Sequence, residues 1–293
     1  MKKQWKRATA LVLAALMVLS LTACGGDKGS NGGTKKEASA DEIIKTSLEK
    51  SKGIKSLDTE MKMVMKITAK APNTADQSAA INMDVKMTMF NDPMKGKLDI
   101  AMDMGAQGKQ NMTAYIQKDD GKNVMYVTDG NAWVKQTISE ADLAQYDAAD
   151  QVTSYMTSAQ KFEKQGTEEI NGKPTFKIQG ILGGEMLKEA INSTGAVDQL
   201  AAMGVDKEEI YKDIKDLPVT IWIDQETNYP VKYAMDMTEM MQGIYQKMME
   251  SLGDKTEGRS ITCDELSTVI TCSNFNGATD FQIPQEALDA PSV

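Results

Sequence analysis

The side chains with the most varied chemistry in this sequence are its three cysteines, because the chain contains no histidine. Without an imidazole it cannot form a Ser-His-Asp or Cys-His nucleophile pair, the usual zinc hydrolase ligand sets or an imidazole pH switch. Carboxylates are abundant, but aromatic residues make up only 5% of the chain. That scarcity disfavours a two-carboxylate glycosidase, since sugar sites rely on aromatic stacking. We therefore predict a protein that is not an enzyme and needs no cofactor.

Methionine is the second chemically distinctive residue, with 22 copies in 293 residues. Its thioether is soft and its chain unbranched, so a methionine surface can repack around varied apolar guests. Three interpretations stay open: an ordinary core, a deformable cavity for a lipid or similar apolar ligand, and a Cu(I) site, since soft sulfur selects Cu(I). We predict no metal site, and the candidates for lining a ligand cavity are Met61, Met63, Met65, Met83, Met87, Met89, Met102, Met104, Met235 and Met237.

The first 23 residues combine a basic start with a short apolar run from Ala8 to Ser20. Such a stretch is typical of a secretory signal peptide and is too short to span a bilayer comfortably. Leu21-Thr22-Ala23-Cys24 then resembles the lipobox of bacterial lipoprotein precursors. The resemblance implies that Cys24 is lipidated, with palmitate among its acyl chains, and becomes the first residue of the mature protein. It places the protein on the extracytoplasmic face of the cell membrane, anchored by lipid.

A flexible tether and one domain follow the signal segment. Residues 24–38 are rich in Gly, Ser and Lys, which predicts a tether with a reach of about 20 Å. Residues 39–293 are expected to form a single domain. Loss of four basic residues with the signal changes the formal charge from −9 to −9 − 4 = −13. This acidic body, with two arginines in the whole sequence, excludes nucleic acid as a partner.

Alternating apolar and polar residues dominate the domain after an initial helix. Ser39 and Glu42 form a capping box that predicts a helix up to about Gly53. Strict alternation from Leu57 onward, broken by polar turns such as Asn171-Gly172, predicts antiparallel hairpins with one dry face. Helices are expected at about 139–160, 184–214 and 240–252. The fold class is α+β, with a large antiparallel sheet of about eleven strands and four or five helices.

The last two strands are expected near 260–266 and 269–276. Cys263 and Cys272 could face each other across that hairpin and form a disulfide, because an exported protein with an even cysteine pair permits one. Ser267-Thr268 is poor turn chemistry, so the predicted loop is longer than two residues.

The arrangement resembles the lipoprotein-carrier fold of LolA, LolB, LppX and LprG, and above all surface lipoproteins of Gram-positive bacteria. The resemblance rests on the helix at 41–52, on Tyr126–Trp133, and on Ile221–Asp224 followed by Asn228–Val231. It implies a curved half-barrel sheet around helices, with space for acyl chains and thus for a lipid ligand. The alternative is an envelope interaction protein with a filled methionine core and a protein partner. Cu(I) handling by thioethers is the third interpretation.

Overall fold

The computed structural model describes residues 38–119, 121–140, 143, 146–193, 197–198, 201, 206–212, 214–252 and 258–292. Cys24, the signal segment and nearly all of the predicted tether lie outside the described residues. The prediction of helix between 193 and 207 falls largely outside them as well.

Six α-helices are present in the described part of the chain. They are α1 Ala40–Ser51, α2 Ala148–Ser158, α3 Gly184–Ser193, α4 Lys207–Lys212, α5 Thr238–Leu252 and α6 Gln285–Leu288. The capping box of α1 is confirmed: the Glu42 amide donates to Ser39 Oγ at 3.3 Å, and the Ser39 amide donates to the Glu42 carboxylate at 2.8 Å. Asp147 caps α2 by accepting from the amides of Ala149 and Asp150.

The described strands form one open, curved antiparallel sheet. They are β1 Ser56–Lys70, β2 Gln77–Asn91, β3 Met94–Asp103, β4 Lys109–Asp119, β5 Lys122–Thr128, β6 Trp133–Thr137, β7 Ala159–Ile170, β8 Lys173–Leu182, β9 Leu217–Asp224, β10 Pro230–Asp236 and β11 Ser260–Ser273. Their order is β6-β5-β4-β3-β2-β1-β11-β10-β9-β8-β7. Two meanders of neighbouring strands are therefore joined at the centre by β1 and β11.

The predicted hairpins are present because their turn residues permit the backbone that each turn requires. Between β7 and β8, Asn171 and Gly172 have φ of 52° and 77°. Positive φ at both positions is the condition for a two-residue type I′ turn, which matches the twist of the strands it joins. The α+β class and the large antiparallel sheet are confirmed.

The predicted C-terminal hairpin is wrong, because residues 260–273 form the single strand β11. The strand pairs along its length with β1, and its central part pairs with β10. Ser267-Thr268 lies in mid-strand, where the alternation continues without a turn. Cys263 and Cys272 are nine residues apart on this strand, about 30 Å at the usual rise per residue. A disulfide needs Cα atoms about 4.4–6.8 Å apart, and both cysteines are free and buried.

The two faces of the sheet differ in cover. The inner face, which carries Leu57, Met61, Val85 and Ile100, forms the main core with the helices. Helix α5 lies against β11, and α1 lies against α2 and β7. The outer face carries mostly charged and polar side chains over β1 to β3.

A second, smaller core lies on the outer face at the β6 edge. Tyr115, Val124 and Tyr126 are buried there under the C-terminal segment 280–292, which contributes Ala287 and partly buried Phe281, Ile283 and Leu288. The Lys135 amide of β6 donates to the Pro291 carbonyl at 3.1 Å. The end of the chain therefore covers an edge strand that the sheet itself leaves unpaired.

Candidate functional site

The inner face of β1 to β4 is tightly covered at one end and only half covered at the other. At the first end Leu57, Met89 and Leu98 are at most 2% exposed. At the second end seven apolar side chains are half-buried, six on the strands and one directly after β3. We call this surface the distal methionine patch: Met63, Met65, Ile67, Ile81, Met102, Met104 and Met112. Burial thus falls along the same strands while the apolar alternation continues.

The ten predicted cavity methionines differ in how deeply they are buried. Five of them are buried in the main core: Met61, Met83, Met87, Met89 and Met235. Met63, Met102 and Met237 are partly buried against that core. Met65 and Met104 are half-buried at the edge of the distal methionine patch.

The strand register brings three methionines side by side. Met63 of β1 lies opposite Met83 of β2, and Met83 lies opposite Met102 of β3. On the other side of Met63 the row continues with Thr268 of β11 and Met235 of β10. Side chains that are directly opposite on one face have Cβ atoms about 4.5–5.5 Å apart. The row therefore contains four thioethers, with the hydroxyl of Thr268 between those of Met63 and Met235. Thr268 is buried, at 6% exposure.

Sequence reasoning missed Ile67, Ile81 and Met112 as members of the patch. The signal was present, because the alternation places all three on the dry face of their strands. The alternation does not predict where the helices lie, and their position decides how much of that face is covered.

A groove of about 430 Å³ lies elsewhere, on the outer face of the sheet. Of the ten candidate methionines its lining includes Met87, and most of its other lining residues are polar or charged: Asp58, Thr59, Glu60, Lys86, Thr88, Lys97, Asp99, Asn171, Thr271 and Ser273. Its composition does not fit the predicted apolar cavity.

Charge pairing explains the character of this groove. Lys97 Nζ lies 2.6 Å from Asp99 Oδ2, and the hydrogen bond that the lysine donates to this carboxylate raises the pKa of the lysine. Thr88 donates to Asp58 at 2.7 Å. Lys86 lies opposite Glu60 on one side and Asp99 on the other. Opposite charges on neighbouring strands stabilise a solvent-exposed face. The groove is therefore a polar surface whose charged side chains pair with one another.

Trp222 also belongs to the outer face. Its indole N–H donates to Glu168 at 3.1 Å, and Lys232 Nζ lies 4.3 Å from its ring centroid. Lys177 hydrogen-bonds the same carboxylate at 2.9 Å, and this contact, followed by that of the indole, lowers the pKa of Glu168. Two lysines and a glutamate thus cover the tryptophan, which is 5% exposed. Trp222 packs across neighbouring strands and offers little surface to a ligand.

The two described cysteines are poorly suited to react. Burial raises the pKa of Cys272 to about 12 and also raises the pKa of Cys263. The thiolate is the reactive form, so neither thiol is activated. The described residues contain no group of three or more His, Cys, Asp or Glu side chains placed to hold a metal ion. In the same part of the chain, no helix is both long and apolar enough to cross a membrane.

Comparison with solved structures found several distant likenesses. The chain is 18% identical to lipoprotein LppX of Mycobacterium tuberculosis, with a TM-score of 0.43 over 82% of this chain and 96% of that one. For LprF of Mycobacterium bovis the identity is 17% and the TM-score 0.44, over 85% and 97% of the chains. For a LolA-superfamily protein of Nitrosomonas europaea they are 11% and 0.21, over 85% and 97%.

These are the families that the sequence resembles. The search of curated proteins found no match. A family model matches residues 39–292, which include every described helix and strand. The chain belongs to the family of unknown function DUF6612.

Proposed function

We propose that this protein is a non-catalytic lipoprotein of the extracytoplasmic face of the cell membrane, and that it binds a hydrophobic ligand such as a lipid on the distal methionine patch. The observation that carries the proposal is the half-buried state of six apolar side chains on the inner face of β1 to β4 and of Met104 directly after β3. Soluble proteins seldom leave a contiguous apolar surface uncovered unless something binds to it.

Methionine suits such a surface because it tolerates ligands of varied shape. Its three rotatable side-chain bonds let Met65, Met102 and Met104 adjust around a guest without moving the strands. The tightly packed first end of the inner face gives the patch a rigid base. A rigid base with a soft lining fits an acyl chain better than a ligand that requires fixed polar contacts.

The N-terminal segment supports a position at the membrane. A lipid on Cys24 and the tether at 24–38 would hold the domain within a few nanometres of the bilayer, where acyl ligands are available. The acidic body has little attraction for anionic headgroups, so attachment depends on the acyl anchor.

The second candidate is an envelope protein partner that covers the same patch. The burial of Met61, Met83, Met87, Met89 and Met235 favours it, because half of the predicted cavity is filled core. A partner would bring its own apolar side chains to the remaining half.

The test uses residues 25–293, secreted without lipid, and measures binding of a fluorescent acyl probe and the lipids extracted by organic solvent. We expect stoichiometric lipid in the extract. We also expect Met65→Asp and Met104→Asp to weaken probe binding by about tenfold or more, since a carboxylate is costly in an apolar contact.

The matched control is Val64→Asp, the same kind of change on the opposite face of the same strand, and it should bind the probe as the wild type does. Absence of both lipid and probe binding would reject the ligand and leave the protein partner. Equal binding by Met65→Asp and the wild type would place the ligand elsewhere.

A further inference from the structure

We propose that the thioethers of Met63, Met83 and Met102 form a Cu(I) site. These three residues lie directly opposite one another on β1, β2 and β3, on the inner face of the sheet. The arrangement comes from the strand register and involves three separate strands, so it differs from a Met-x-Met repeat along one strand.

The spacing allows the three sulfurs to converge. Residues along one strand on the same face lie about 6–7 Å apart, whereas neighbours across strands have Cβ atoms only about 4.5–5.5 Å apart. Met83 is the central member, and each sulfur lies two bonds beyond its Cβ. Met63 and Met102 can therefore lean over Met83 from both sides, and unbranched methionine has the rotamers to do so.

The burial of the three residues suits a soft monovalent ion. Met83 is 2% exposed, whereas Met63 and Met102 are half-buried. One donor is therefore dry and two remain reachable from the distal methionine patch. Met65, two residues further along β1, and Met104, directly after the end of β3, offer thioethers through which an ion can be passed inward.

Thioether sulfur is the soft donor that the inner face offers at this position. Soft donors select Cu(I) over the harder divalent ions. Cys272 lies four residues beyond Thr268 on β11, about 13 Å from the row at the usual rise, and it is buried beside Thr59. The sequence has no imidazole. The site is accordingly sulfur-only and uncharged, and binding of Cu(I) releases no proton.

The copper site stands independently of the proposed apolar ligand. Leucine is as apolar as methionine and similar in volume, but it has no donor atom. Met83 is buried in the main core and does not belong to the distal methionine patch. Met83→Leu should therefore weaken Cu(I) binding and leave binding of an acyl probe intact, so failure of one proposal is distinguishable from failure of the other.

The experiment titrates Cu(I) under anaerobic conditions into the full chain purified in a nonionic detergent, in competition with a chromophoric Cu(I) chelator. We expect one Cu(I) per chain. The affinity should change by less than about threefold between pH 6 and pH 8, because thioethers do not compete for protons as thiolates and imidazoles do. Copper X-ray absorption should show sulfur neighbours only.

Variants locate the ion. We expect Met83→Leu, and separately the double change Met63→Leu with Met102→Leu, to weaken Cu(I) binding by about tenfold or more. The control is Met89→Leu, a buried methionine six residues away on the same strand, which should bind as the wild type does. The double variant alters half-buried positions, so it still decides if Met83→Leu fails to fold.

The proposal is rejected if the wild type binds no stoichiometric Cu(I), or if both row variants keep wild-type affinity. It is equally rejected if the affinity falls steeply at pH 6 or if nitrogen or oxygen atoms enter the copper shell. Either of those last results would assign the ion to ionisable groups outside the row.

Discussion

Cys263 and Cys272 show how the chemistry of a residue depends on the backbone that carries it. On a hairpin the two thiols could have met, but on the continuous strand β11 they point into the core at separate places. Cys272 lies opposite Thr59 near one end of the strand, and Cys263 lies opposite Ile67 near the other. Their protection therefore comes from burial, since each is 5% exposed or less.

At the residue scale we predict two free and unreactive thiols in the protein from residue 25 onward. With a pKa of about 12, only about one Cys272 in ten thousand is a thiolate at pH 8. A thiol reagent at pH 8 should therefore label native protein only slowly. Denaturation without reductant should release two reactive thiols per chain, and prior reduction should not change the count. A count of zero reactive thiols without reductant would show that Cys263 and Cys272 form a disulfide.

At the scale of elements, β11 is the strand on which the sheet depends, because it joins the two meanders. Its centre is held on both sides: Thr268 lies opposite Met63 of β1 and opposite Met235 of β10. A strand in this position cannot turn back without loss of pairing with both neighbours. This explains why Ser267-Thr268, without Gly, Asn or Pro, stays extended.

Introduction of two turn-forming residues in the middle of β11 tests whether the strand is continuous. We expect Ser267→Asn with Thr268→Gly to lower the free energy of unfolding by about 2 kcal/mol, because glycine weakens a strand interior and the buried threonine side chain is lost. Denaturant unfolding measures the change. Asn73→Gly is the control, since Asn73 already has φ of 58° in an exposed loop, and its effect should be small. Stabilisation by the double change would instead support a hairpin.

Local sequence signals predicted individual helices and hairpins, whereas the pairing of strands far apart in the sequence could not be predicted from them. The capping box at Ser39 and the turn at Asn171-Gly172 act within a few residues, so the sequence alone locates α1 and the β7–β8 hairpin. The pairing of β1 with β11 joins residues about 200 positions apart, and no local pattern contains it. For the same reason the distal methionine patch could be assigned to the dry face but not recognised as half covered.

At the scale of the whole molecule, the open sheet has two edges that are protected in different ways. Edge strand β7 carries many charged side chains and an irregular register, with φ of 54° at Lys161 and 115° at Gly166. Charges and bulges discourage pairing with another chain. Edge strand β6 is covered by the C-terminal segment, where Lys135 also forms a parallel bridge to Ser292.

Deletion of residues 280–293 should therefore make the domain self-associate more strongly than residues 25–293 do. The truncation uncovers Tyr115, Val124 and Tyr126 and removes the hydrogen bonds from Lys135 to Pro291 and Leu288. An apolar face next to an unpaired strand is a template for association between chains. Sedimentation velocity on residues 25–279 should show oligomers, and an apolar dye should bind more strongly than to residues 25–293.

A point variant separates loss of cover from loss of chain. Phe281 packs against Tyr115 with ring centroids 5.7 Å apart, and Lys95 Nζ lies 4.5 Å from its ring. Phe281→Ser keeps the strand bridge at Lys135 but loosens the apolar cover, so it should raise dye binding without forming oligomers. If the truncated protein stayed monomeric with an unchanged unfolding midpoint, the segment would not be the protection of β6. Oligomers from Phe281→Ser alone would show that the apolar cover, and not the edge pairing, keeps the chains apart.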